Sequence, residues 1–101
     1  MATKASGPVD VTVAGLSVVD ILGRPVDLAS LPRRGGLQVI DTVTMTTGGN
    51  VPNYGIDLAK LGLRVGVITR VGDDEFGRFV TRRFDEHGID TSGVIVDPRR
   101  Q

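Results

Sequence analysis

TTGGNVPNYGIDLAKLG, residues 46–62, decides the reading. Gly48 and Gly49 stand directly before a helix start, Asn50, Pro52 and Asn53 fill its first turn, and Gly62 closes it. Pro52 suits a first turn, because its missing N–H has no helical partner there. Val51, Gly55, Leu58 and Gly62 form one row, and Tyr54, Leu58 and Leu61 a second. Gly62 sits where a left-handed residue ends a helix. The pattern predicts a helix from Asn50 to Leu61. Its N-terminus has free N–H groups and partial positive charge. Glycines let a ligand come close to those groups. Such a site holds a phosphate or the oxygens of a hydroxylated compound. Asn50 and Asn53 add amides that donate to one hydroxyl and accept from another, which suits a sugar. A plain Gly-Gly-Asn turn would use the same residues.

Upstream, VDVTVAGLSVVDIL (9–22) begins as an apolar, β-branched run. Val11, Val13 and Ala14 suit a strand buried on both faces. Gly15 marks its end, and Asp20 follows just beyond. Ligands of open α/β sheets bind at that edge, where a carboxylate can accept from two adjacent hydroxyls; a solvated turn Asp would look the same. GRPVDLASLPRRGG (23–36) reads as loop and turn. LQVIDTVTMTT (37–47) alternates instead. Leu37, Val39, Val43 and Met45 share one face with Asp41. Gln38, Thr42, Thr44 and Thr46 share the other with Ile40. That period of two predicts a half-exposed strand.

Downstream, LRVGVITRVG (63–72) is a strand, and Asp73 or Asp74 caps the next helix, with Glu75 at its positive end. Phe76, Phe79, Val80 and Phe84 recur at helical spacing and read as core. His87 lies in the last turn as a charge partner of the helix end, and Gly88 ends it. GVIVD (93–97) starts another strand. Residues 1–9 read as a flexible lead-in. The alternation of strand and helix predicts an α/β fold with a parallel sheet.

Composition narrows the function. Lys plus Arg and Asp plus Glu are 12 each, which gives no electrostatic case for nucleic acid or an anionic membrane. There is no Cys and one His, so disulfide, thiolate and Cys-based zinc chemistry are excluded. The N-terminus lacks the apolar core of a signal peptide, and no apolar run approaches the ~20 residues that span a bilayer. A cytoplasmic protein is expected. The glycines form no G-x-x-x-x-G-K-[ST], and Gly15 stands alone after the first strand, so neither a P-loop nor a dinucleotide fingerprint is present. The acidic run GDDEFG (72–77) is read as capping, with Gly77 for close helix packing, and not as a metal site. Arg33–Arg34 and Arg99–Arg100 read as solvated pairs.

VTVAGLSVVD, GGNVPNYGIDLAKLG and VGVITRVGDDEFGRFVTRRFDEHGIDTSGV, in this order, resemble the N-terminal part of the ribokinase-like (PfkB) carbohydrate kinases. The likeness covers roughly residues 10–97. It implies a three-layer αβα fold, present in part, with part of a small β lid at about 23–47 and 93–101. It implies transfer of the ATP γ-phosphoryl group, with Mg2+, to a hydroxyl of a sugar or nucleoside. Asp20, Gly48, Gly49, Asn50 and Asn53 are then the substrate-binding residues. Lid-mediated pairing of two copies is implied as well. Val51 stands where the family usually has a small residue or proline, and Gly55 where Ser, Thr or Ala is usual. Asn50 replaces the Lys of ribokinase itself, which weakens the case for ribose. The family's C-terminal G-A-G-D, with its catalytic Asp and anion hole, and its ATP-binding segments are not in this sequence. No catalytic, cofactor-binding or metal-binding residue is therefore expected here. The chain is expected to be the N-terminal part of a single kinase domain, inactive alone. The alternatives are a non-enzymatic sugar-binding or lid-partner module, and a plain α/β domain.

Overall fold

A computed structural model describes residues 8–99. The lead-in reading for residues 1–7 and the terminal Arg100 and Gln101 lie outside them. In chain order the elements are β1 (Val11–Gly15), β2 (Val18–Arg24), a single 3-10 turn (Leu28–Ser30), β3 (Thr42–Gly48), α1 (Asn50–Lys60), β4 (Val65–Gly72), α2 (Glu75–Glu86) and β5 (Asp90–Asp97). They build two sheets. β1, β4 and β5 form a parallel sheet with β4 central, and β2 and β3 form an antiparallel ribbon.

Apolar periodicity places both helices on one face of the parallel sheet. Val65, Val67, Thr69 and Val71 alternate inward along β4. Against them lie Val51 and Ile56 of α1, Val80 and Phe84 of α2, and Ile89 beyond it. Phe84 and Ile89 are 0% exposed, and burial of side chains this size contributes about 1.5–3 kcal/mol each. Gly55 brings α1 close: a Cβ there would touch Val67 at 3.5 Å and Val65 at 3.8 Å. Gly77 does the same for α2, where a Cβ would strike the backbone of Gly72. Both helices end alike. After α1 the Gly62 N–H donates to Ala59 and the Leu63 N–H to Leu58; after α2 the Gly88 N–H donates to Asp85 and the Ile89 N–H to Phe84. These paired bonds satisfy carbonyls that a helix end leaves open.

Several expectations change. Asp20 is not in a turn beyond the first strand: it lies within β2, which starts three residues after β1 ends and runs into the stretch read as loop. Residues 37–41 alternate but find no partner strand, so β3 begins only at Thr42. β1 is an edge strand, and its Thr12 and Ala14 are exposed. On α1, Tyr54 (63% exposed) and Leu61 (79%) point outward; the buried stripe is Val51, Pro52, Gly55 and Ile56. Phe76 is exposed on the first turn of α2, where it lines an open cavity, and Val80 is the first large side chain of the helix to reach the core. β5 starts at Asp90 and pairs with β4, so residues 93–97 belong to the parallel sheet and not to the ribbon.

Candidate functional site

The ribbon pairs in strict register: Val18 with Gly48, Asp20 with Thr46, Leu22 with Thr44 and Arg24 with Thr42. Directly opposed residues of an antiparallel pair point to the same face. One face therefore carries Asp20, Arg24, Thr42, Thr44 and Thr46 together with Val18 and Leu22. The other carries Val19, Ile21, Val43 and Met45. The alternation read at Thr42–Thr46 thus has a physical counterpart: β3 gives its threonines to the face of the Asp20 carboxylate, beside Val18 and Leu22 of β2.

Asp20 and Gly48 come together closely. A Cβ on Gly48 would lie 2.6 Å from Asp20 Oδ2 and 3.1 Å from Val18 Cγ2. The carboxylate occupies the space that any other residue would fill. It is exposed, and it makes no hydrogen bond or ion pair among the described residues. Both of its oxygens are open to donors. Gly49 is needed for a different reason. Its φ of 90° is a left-handed conformation, and a Cβ would lie 2.5 Å from the Leu16 carbonyl. Strained φ and close backbone approach both demand glycine.

Asn50 and Asn53 diverge. Asn53 is exposed on the first turn of α1, and its amide has no partner among the described residues. The Asn50 amide turns instead onto the backbone between β1 and β2. Its Nδ2–H donates to the Ala14 carbonyl (3.1 Å), and its Oδ1 accepts from the Leu16 N–H (2.8 Å). One N–H and one lone pair remain on that amide.

Sequence reading missed the polar groups beneath this site. Thr69 on β4 places its hydroxyl 2.9 Å from the Gly15 carbonyl and 2.8 Å from the Ser17 hydroxyl. It also missed a cavity of about 630 Å³ between the β1–β2 junction, the end of β4 and the start of α2, lined by Val18, Arg70 and Phe76 among others. No sequence signal marks either, since both arise from elements distant along the chain. At the end of β5, Asp97 is 3% exposed and accepts from Arg70 Nη1 (3.0 Å) and from the Arg99 N–H (3.0 Å) and Nε (3.3 Å). The Arg99 N–H, then the two guanidiniums, hold its carboxyl below the usual value against the opposing pull of burial. Arg99 thus pairs with Asp97 while its side chain stays largely in solvent. His87 joins the helix end through Nδ1, 2.9 Å from the Arg83 carbonyl.

Among the described residues no group of three His, Cys, Asp or Glu could hold a metal ion. No helix among them is long and apolar enough to cross a membrane.

A parallel β–α–β–α–β unit, whose first strand leads into an antiparallel ribbon before its first helix, is the ribokinase-like fold, and its solved neighbours share it. The Polaromonas sp. JS666 PfkB protein superposes with a TM-score of 0.73 at 30% identity, covering 91% of this chain and 28% of that one. The fructokinase of Halothermothrix orenii gives 0.71 at 26% identity, over 91% and 31%. Residues 10–101 match the pfkB family carbohydrate kinases, and the chain belongs to that family. Among curated relatives, the 5-dehydro-2-deoxygluconokinase of Geobacillus kaustophilus is 48% identical over 56 residues, 55% of this chain and 17% of that protein. The 5-dehydro-2-deoxygluconokinase of Shouchella clausii is 36% identical over 77 residues, 75% of this chain and 24% of that protein. The chain thus spans less than a quarter of the length of these relatives.

Proposed function

We propose that this chain is the sugar-binding part of an ATP-dependent carbohydrate kinase. The observation that carries the reading is the Asp20 carboxylate lying over the bare backbone of Gly48, on the ribbon face that holds the threonine hydroxyls. An ionised carboxylate only accepts, so two neighbouring sugar hydroxyls donate to its two oxygens. Gly48 lets the ring approach the backbone, Gly49 keeps the helix start open, and Asn53 offers one further donor and acceptor. A different hydroxyl of the sugar held in this way receives the γ-phosphoryl group, its proton passing to a base outside these residues.

ATP and Mg2+ are left to residues outside these 101. The match covers only 17% of the Geobacillus kaustophilus relative, and the sequence has no phosphate-binding glycine motif. Phosphoryl transfer needs positioning and charge stabilisation of the transferring group, which this site does not supply alone. The 5-dehydro-2-deoxygluconokinase relatives make a keto sugar acid the first compound to test. A cytoplasmic setting belongs to the same proposal.

Isothermal titration with 5-dehydro-2-deoxygluconate, D-fructose and D-ribose tests it, on the unaltered chain and on Asp20→Asn. One compound binds, and the variant loses at least about tenfold in affinity, as for a lost charge-assisted hydrogen bond. Binding of none, or binding indifferent to Asp20→Asn, overturns the reading. A coupled ATP assay on the chain alone stays at background; turnover there would sink the division of labour while sparing the site.

A further inference from the structure

The ribbon is joined to the rest of the protein at two chain crossings, Leu16–Ser17 and Gly48–Gly49. Asn50 touches both. It follows the second crossing directly in the chain, and its amide bonds the Ala14 carbonyl (3.1 Å) and the Leu16 N–H (2.8 Å) at the first. The adjacent Val51 N–H donates to the Leu16 carbonyl (3.1 Å). From β4, Thr69 reaches the Gly15 carbonyl (2.9 Å). The backbone groups of 14–16 are thus tied to α1 and to β4. Gly15 makes room for this: a Cβ there would lie 2.6 Å from both Oδ1 and Nδ2 of Asn50.

We propose that Asn50 is a positioning residue. It fixes the angle at which the ribbon leaves the parallel sheet, and with it the placement of Asp20 over Gly48. The proposal rests on the sugar-binding reading given above, and it moves Asn50 from substrate contact to support. The chemistry explains the residue type. A carbonyl and an N–H two residues apart need a donor and an acceptor on one planar group. An amide carries both, whereas Asp only accepts when ionised and Lys only donates.

The test uses the 15N-labelled chain with Asn50→Ala and Asn50→Asp, read by amide exchange, amide chemical shifts and titration with 5-dehydro-2-deoxygluconate and D-fructose. Asn50→Ala lowers protection of the Leu16 amide by about fivefold, as for loss of one net hydrogen bond. It shifts the amides of Val18–Arg24 and Thr42–Gly48 and leaves those of α2 and β5 in place. Asn50→Asp keeps the bond from Leu16 and loses the one to Ala14. Leu16 then stays protected and the ribbon shifts are smaller, which also decides the matter where Asn50→Ala fails to fold. Affinity for whichever compound binds falls in step with the ribbon shifts. An undisturbed Leu16 amide and ribbon in Asn50→Ala overturn the proposal. So does affinity lost without any ribbon change, which would make Asn50 a ligand contact. If the unaltered chain binds neither compound, the sugar reading fails, and the amide signals alone still decide whether Asn50 sets the ribbon.

Discussion

Gly48 and Gly49 look alike in the sequence and serve different ends. Gly48 has an ordinary φ, so alanine fits its backbone; the cost falls on Asp20, whose Oδ2 would be 2.6 Å from the new methyl. Gly48→Ala should cost roughly tenfold in sugar affinity, as for one displaced charge-assisted bond, with the melting temperature little changed. Gly49→Ala should do the reverse. Its φ of 90° and the Leu16 carbonyl impose strain of about 1–3 kcal/mol, and each kcal/mol lowers Tm by roughly 4–8 °C in a domain this small. A melt and a titration on each variant separate the two. The sequence showed that backbone is bared here. It could not show which glycine serves the ligand and which the chain, because that depends on Asp20 and Leu16 across the fold. Asn50 is the same case: its donor and acceptor were legible, their partners 34 and 36 residues away were not. Asp97 adds a pH dependence. Its carboxyl is held below the ordinary 3.8 in the folded chain, so it stabilises the fold above that value, and the contribution disappears as pH falls through the lowered one. Urea midpoints of the unaltered chain and Asp97→Asn should therefore differ at pH 7 and converge below pH 3.8. A gap that persists unchanged into acid would refute the assignment.

At the scale of elements, α1 and α2 were readable because their signals are local. A glycine pair, an apolar row and a closing glycine lie within one short stretch. The sequence left two candidate caps for α2, and geometry chooses. Asp74 Oδ1 accepts from the Gly77 N–H at 2.8 Å, while Asp73 reaches only an exposed ion pair with Arg78 at 3.6 Å. Asp74→Ala should destabilise by about 1 kcal/mol, and Asp73→Ala by much less, as surface ion pairs contribute little; chemical denaturation of the two variants decides. β2 was not readable. Its residues are mostly exposed on both faces, so no hydrophobic alternation marks it, and Gly23, Arg24 and Pro25 imitate a loop. Residues 37–41 failed in the opposite sense. Alternation is a necessary sign of a half-buried strand, but a strand also needs a neighbour, and pairing is non-local.

On the scale of the molecule, the order β1-β4-β5 places both helices on one face of the parallel sheet. Ile68 (50% exposed) and Ile95 (47%) lie toward the other. The ribbon likewise has a face with Asp20 and the threonines beside Val18 and Leu22, and a face with Ile21, Val43 and Met45, each more than 40% exposed. Should two copies pair through the ribbon, as the family likeness implies, that second face would bury the apolar area. Met45→Lys should then shift sedimentation toward the monomer, and an unaltered profile would remove the ribbon from the interface. Fold class was legible at this scale because strand and helix alternate in order. The division into two sheets came only from the family likeness, which implies a small β lid; periodicity alone leaves open which strand β2 chooses. The attachment of the ribbon has a mechanical consequence. Each of its strands has seven residues, so it reaches about 23 Å from its root. A rotation of only about 5° at the crossings therefore carries the far end through about 2 Å. The ribbon is a lever with its fulcrum beside Asn50. Substitutions at the root are geared up along its length, and those near Arg24 and Thr42 move little besides themselves.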